Sequence, residues 1–224
     1  MEIGGCCFPD DRLYDSEGLT WVSILDNSFT IGITQLQAFI IGKLTSIVAK
    51  QQGAEVSKGG SIAFIETRKY AGNIRTPLSC VVEQINSEVL KDPSLANRDP
   101  YGRGWIAKLR LANLEGERKG LSHSSEIYDD VEKVIQESGL RCFSVYPDYH
   151  ISGIGGECPE TLKILGDLLE TTSPDEAVLL VTDNPHAEHD VPNWVAVRRY
   201  KILESRMEQP LKYYVIGKLG RFSS

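Results

Sequence analysis

Apolar residues in the first half of the chain fall in short runs rich in Val and Ile, broken by glycine and polar turns. That pattern predicts strands at Trp21 to Leu25, Ser28 to Ile33, Leu44 to Ala49, Ser61 to Glu66, Leu78 to Ile85 and Trp105 to Leu111. Asp26-Asn27 is two-residue hairpin chemistry between the first pair, and Gln35 to Lys43 predicts a short helix. Gly53, Gly59-Gly60 and Gly72-Asn73 punctuate the strands. Glu115 to Glu126 is polar, a loop or linker. Beyond it Ile127, Val131, Val134 and Ile135 recur at helical spacing, with Gly139 as the stop.

After Gly139 the period changes. Phe143 to Ile151 reads as a strand, Pro159 to Glu170 as a helix, Glu176 to Thr182 as an apolar strand and Val191 to Tyr200 as a second helix. Lys201 to Glu208 and Leu211 to Lys218 close the chain as a strand pair. The order β-α-β-α-β-β predicts a small α/β two-layer sandwich with its helices on one sheet face. Two domains follow, 1–138 mostly β and 139–224 mixed, each large enough to bury a core.

Composition adds exclusions. Of 224 residues, 41% are hydrophobic and 25% charged, which is ordinary for globular proteins. A net charge of −7 argues against general affinity for nucleic acid or an anionic membrane. No window approaches a membrane-spanning length, and the start lacks a basic region before an apolar run. A cytoplasmic location is expected. The five cysteines, Cys6, Cys7, Cys80, Cys142 and Cys158, are scattered and odd in number, a poor disulfide framework. No Cys-x-x-Cys pair is present, so no metal site is expected.

Lys69 falls on the turn after the strand ending at Glu66, where a modifying enzyme can reach it. The segment Glu66-Thr67-Arg68-Lys69-Tyr70 resembles the Glu-Ser-Val-Lys-Ala lipoylation motif of the glycine cleavage H-protein family. Thr76-Pro77-Leu78-Ser79, Asp99-Pro100-Tyr101-Gly102-Arg103-Gly104-Trp105 and Thr30-Ile31-Gly32-Ile33-Thr34 resemble three further segments of that family, and the likeness spans residues 14 to 138. It implies a lipoyl/biotinyl-type barrel-sandwich hybrid, lipoic acid amide-linked to Lys69, and Glu66 as part of the recognition motif. Arg68 and Tyr70 depart from the motif beside the lysine, and Cys80 replaces a usual glycine.

Cys158-Pro159-Glu160-Thr161 opens the strongest helix of the second half, with Pro suited to the first helical turn. A cysteine there sits at the positive end of the helix dipole, which predicts a stabilised thiolate. Residues 148 to 218 resemble the TusA/SirA sulfur-carrier family: Gly156-Glu157-Cys158-Pro159-Glu160 is similar to its Cys-Pro motif, and Thr182-Asp183-Asn184-Pro185 with Asp190-Val191-Pro192 to two later segments. Thr161 replaces the motif's second proline, and Ser152 stands where Asp is frequent. The resemblance implies a transient persulfide on Cys158. His186 and His189 lack an evident third ligand and read as helix-start residues, and His123 and His150 carry no catalytic expectation. Lys163, Arg198, Arg199 and Lys201 form either a partner-facing basic patch or a solvated face.

Together these features predict a sulfur-handling lipoate-binding carrier, more a transfer protein than a stand-alone enzyme, similar to those of the heterodisulfide-reductase-like sulfur-oxidation pathway. The partners implied are a lipoate ligase or lipoyl-transfer enzyme, a heterodisulfide-reductase-like complex, sulfurtransferases and dihydrolipoamide dehydrogenase. Two other functions remain open: a glycine cleavage H-protein carrying the aminomethyl group, and an interaction protein without lipoate.

Overall fold

The computed structural model describes residues 1–15, 19–112 and 120–219. They divide into two compact units, Met1–Cys142 and Phe143–Ser224. Residues 115–119 of the polar stretch lie outside the described residues.

The first unit runs β1 (Glu2–Ile3), β2 (Cys6–Cys7), β3 (Leu13–Tyr14), β4 (Thr20–Leu25), β5 (Ser28–Ile33), α1 (Gln35–Ile41), β6 (Leu44–Ala49), β7 (Glu55–Val56), β8 (Ser61–Thr67), β9 (Ala71–Arg75), β10 (Cys80–Ile85), α2 (Ser87–Lys91), α3 (Leu95–Arg98), β11 (Ala107–Leu111) and α4 (Tyr128–Ser138). Strands in the order β3-β4-β5-β11-β10-β7 form a six-stranded antiparallel sheet, and β6-β8-β9 a separate three-stranded one. Alternation sets the buried face: Phe29, Ile31 and Ile33 of β5 face inward, as do Ala107, Leu109 and Leu111 of β11. Thr34 caps α1 by accepting from the Gln37 N–H.

The Asp99 to Trp105 segment folds around one carboxylate. Asp99 accepts from the Gly102 N–H at 3.1 Å and the Arg103 N–H at 2.7 Å, and its carbonyl accepts from Gly104. A Cβ on Gly104 would meet the Asp99 and Leu95 carbonyl oxygens at 2.5 and 2.7 Å, so the close backbone approach requires glycine. Pro100 accepts the Trp21 indole N–H at 3.0 Å, tying this loop to β4.

Two short strands escape periodicity altogether. β1 and β2 are two residues each, yet Ile3, Cys6 and Phe8 are buried with Ile127, Val131 and Ile135 of α4. The cysteine expectation is corrected here: Cys6 and Cys142, both fully buried, form a disulfide. Gly139, in the left-handed conformation at φ 62, ends α4 and turns the chain toward that bond. Residues 139–142 thereby belong with the first unit. Spacing could not reveal this pairing, because the partners lie at opposite ends of the unit.

The second unit runs β12 (Tyr149–Gly153), α5 (Cys158–Thr171), β13 (Ala177–Thr182), α6 (Ala187–Val197), β14 (Tyr200–Glu208) and β15 (Leu211–Lys218). Its sheet order is β12-β13-β15-β14, with β12 and β13 parallel and the other pairs antiparallel. Leu162, Leu165 and Leu169 of α5 and Ala187, Val191 and Val195 of α6 share one core with Ile151, Val178, Leu180, Tyr214 and Ile216. Both helices therefore cover the same sheet face.

The strand expected over Phe143 to Ile151 is confined to Tyr149–Gly153. Phe143 instead packs beside Tyr213 on the opposite sheet face, its ring centroid 6.1 Å away, with the Arg206 guanidinium over it at 4.8 Å. The second helix starts earlier than its sequence suggests, at Ala187, and contains Pro192; Arg199, at φ 60, follows its end. Breaking the Cys6–Cys142 bond by Cys142→Ser should lower stability by about 3 kcal/mol. Denaturant melts under oxidising conditions check this, and reductant should shift the wild-type protein alike while leaving the variant unmoved.

Candidate functional sites

Each unit places one chemically distinctive side chain. In the first it is Lys69. β8 ends at Thr67 and β9 starts at Ala71, leaving Arg68, Lys69 and Tyr70 exposed between them. The turn is closed by the Thr67 N–H donating to the Tyr70 carbonyl at 2.7 Å. The Thr67 hydroxyl accepts from the Lys69 N–H at 3.1 Å and the Tyr70 N–H at 2.9 Å, and donates to the Ile41 carbonyl at 2.9 Å. One hydroxyl thus satisfies two turn donors and fastens the turn to the end of α1.

Asn97 completes that support. It donates to the Ala38 and Gly42 carbonyls and accepts from the Leu44 N–H, so the end of α1 and the start of β6 are pinned together. The Lys69 side chain takes no part in these bonds, and among the described residues it has no hydrogen bond or ion pair. An exposed amine on a braced hairpin tip fits an amide-linked arm. Glu66 is exposed two strand positions before the turn and pairs with Ala71; its carbonyl accepts from the Thr45 hydroxyl. Tyr70 folds back over Gly72, where a Cβ would run into the phenol.

In the second unit the residue is Cys158. It is the first residue of α5, after the N-cap Glu157 and before Pro159, and is half-buried. It lines a groove of about 380 Å³ between α5 and α6, with Pro159, Leu162, Lys163, Asp167, Asp190, Trp194 and Arg198. The Arg198 guanidinium stacks over Trp194 at 5.0 Å. Of the four basic residues singled out by sequence, Lys163 and Arg198 meet at this groove; Arg199 and Lys201 do not line it.

The expected stabilised thiolate is corrected. Burial, then a hydrogen bond to Asp190, then that carboxylate's negative charge push the Cys158 thiol above its ordinary value. These causes oppose the helix terminus, in whose first turn Cys158 lies. At neutral pH the group rests as a thiol, beside the Asp190 carboxylate in the same groove. Asp190 is the residue whose role sequence left unread: it was visible as part of Asp190-Val191-Pro192, but only the packing of α6 beside α5 sets it against the sulfur.

The remaining candidates stay apart. His186 is the N-cap residue of α6, its N–H donating to Asn184 Oδ1, and His189 lies in the first turn. No group of three His, Cys, Asp or Glu suited to a metal occurs among the described residues. Cys7 is exposed and Cys80 buried beside the Thr76 hydroxyl. Replacing Asp190 by Asn removes the charge and weakens the acceptor, so the Cys158 thiol should titrate at lower pH. The pH profile of Cys158 alkylation, read by peptide mass spectrometry, should move downward, though burial keeps it from falling the whole way.

Comparison with known proteins places the first unit. The model of the glycine cleavage H-protein family matches residues 12–134. Glycine cleavage system H protein 5 of Aquifex aeolicus is 35% identical over 145 residues, covering 63% of this chain and 98% of that protein. A probable glycine cleavage system H protein 3 of Saccharolobus solfataricus is 39% identical over 135 residues, covering 59% and 95%. A crystal structure of a glycine cleavage system H protein from Mycobacterium marinum aligns with TM-score 0.49 and 25% identity, covering 59% of this chain and 100% of that one. Over more than half its length, this chain is a member of the glycine cleavage H-protein family.

Proposed function

We propose that this protein is a lipoate-binding carrier that exchanges sulfur between a persulfide on Cys158 and a lipoyl arm on Lys69. The coarser part follows from family membership: it is an H-protein-like lipoyl carrier, and the family carries lipoyl-lysine. The two antiparallel sheets of the first unit fit a barrel-sandwich hybrid, with Lys69 on an exposed, braced hairpin. When attached, lipoate supplies a two-electron dithiol/disulfide couple. Lys69 would hold it by an amide, and Glu66 would mark the tip for a lipoate ligase or lipoyl-transfer enzyme.

The sulfur half rests on one observation: Cys158 lines a groove with a carboxylate beside its thiol and two cations, Lys163 and Arg198, lining the same space. That arrangement suits sulfur acceptance from a persulfide donor of a sulfurtransferase. The donor's sulfur–sulfur bond breaks, and a new one forms to Cys158 Sγ. The electron pair leaves on the donor sulfur, and the Cys158 proton ends there by way of Asp190. One thiol and one persulfide give one persulfide and one thiol, with no net oxidation. The small α/β unit fits a TusA-like carrier, and the partners this implies are a heterodisulfide-reductase-like complex and dihydrolipoamide dehydrogenase, in the cytoplasm.

A second reading is favoured by the family match itself: Lys69 carries an aminomethyl group for glycine cleavage. It gives the Cys158 groove no task. Intact-mass and peptide spectrometry after co-expression with a lipoylation system, followed by treatment with glutathione persulfide, decides between them. We expect a lipoyl adduct at Lys69, lost in Lys69→Arg, and one added sulfur at Cys158, lost in Cys158→Ser. Lipoyl without added sulfur, together with support of glycine cleavage in a reconstituted assay, would favour the aminomethyl reading; absence of both adducts defeats each carrier reading.

A further inference from the structure

β15 carries Lys212, Tyr214 and Ile216 at alternate positions on the sheet face that α5 and α6 cover. Ile216 lies in the apolar core. The buried Lys212 places its ammonium 3.8 Å from the Glu188 carboxylate at the start of α6. Tyr214 lies between them in sequence, opposite Leu180 of β13, and is only 1% exposed. Its hydroxyl is buried and has no hydrogen-bond partner among the described residues.

A buried hydroxyl without a partner destabilises the fold relative to a Phe of the same shape. The position therefore needs an explanation beyond packing. Its surroundings supply one. Cys158 packs against the core cluster that contains Tyr214, and a negative charge on Glu188 or on Cys158 raises the phenol's pKa. Burial first, then those charges, push the phenol up, so it is a protonated donor at neutral pH. Nothing on Cys158 as a thiol uses that donor, since the thiol proton faces Asp190.

We infer that the Tyr214 hydroxyl is the hydrogen-bond donor for the outer sulfur of a Cys158 persulfide. This deepens the sulfur-carrier reading above and rests on it. An added sulfur extends the side chain by about 2 Å, the length of a sulfur–sulfur bond. It also brings a charge, because a persulfide is more acidic than its thiol and is anionic at neutral pH. The site is then built for two states: Asp190 accepts from the unloaded thiol, and Tyr214 donates to the loaded sulfur. The ligand class is a short anionic sulfane sulfur, and the donor is missing its partner only in the unloaded state.

The test uses the full chain and glutathione persulfide as donor. After the donor is removed, Cys158 sulfur occupancy is followed over time by alkylation and peptide mass spectrometry. Tyr214→Phe should load but lose its sulfur about tenfold faster than wild type, the effect of one hydrogen bond to a charged group. Its thermal melting should be equal or higher, which a purely structural role for the hydroxyl would not give. In the wild-type protein, the Tyr214 ring-carbon resonance next to the hydroxyl should shift on loading, a readout independent of any variant. Equal sulfur lifetimes in the two proteins, or an unmoved Tyr214 resonance on loading, overturns the Tyr214 assignment alone. Failure of wild-type Cys158 to take up sulfur overturns the carrier reading and this inference with it.

Discussion

The Thr67 hydroxyl is the interaction on which the first unit's site depends. It accepts from two consecutive turn N–H groups and donates to the last carbonyl of α1, so a three-residue exposed turn is held at both sides. Behind it, Asn97 locks the end of α1 to the start of β6 through three bonds. The family's motif carries Ser where this chain has Thr67, and the geometry explains why a hydroxyl is wanted there: an apolar residue would leave the turn donors to solvent and the turn unattached. Lys69 is free to carry a tethered group because its backbone is not free to move.

The second unit solves a different problem. A cysteine at a helix start would ordinarily be drawn toward the thiolate, yet the carboxylate of Asp190 and partial burial keep the proton on sulfur. A protonated resting thiol is less prone to stray oxidation, since thiolate character and exposure set that susceptibility. In the proposed sulfur-carrier role, groove-lining Lys163 and Arg198 would provide the opposite charge for an anionic sulfur donor. On that proposal, holding the thiol and receiving sulfur fall to different residues on α5, α6 and β15.

Legibility followed the range of the forces involved. The hairpin at Asp26, the strands Ser28–Ile33, Leu44–Ala49 and Leu211–Lys218, and the long helix α5 were readable because each is set by local turn chemistry or by periodic burial. Phe143 to Asp148 has the apolar content of a strand without forming one, because Phe143 buries singly against Tyr213. β1, β2, β3 and β7 carry no signal in the sequence, because two-residue strands have no period. The Asp99 loop was legible as a motif, while its cause, one carboxylate gathering two N–H groups, was not.

By itself the sequence determined the two building blocks, the lysine on an exposed turn and the cysteine at a helix start, since each is fixed by residues within a few positions. It also determined the family, through motifs spread over the first unit. Only the tertiary structure decided that Cys6 meets Cys142, that Asp190 lies beside the Cys158 thiol and that Tyr214 is buried, its hydroxyl without a partner among the described residues, in the core Cys158 packs against. The physical reason is common to all three. Each joins groups far apart in the chain through the packing of whole elements, and burial then changes what those groups can do, which no local pattern records.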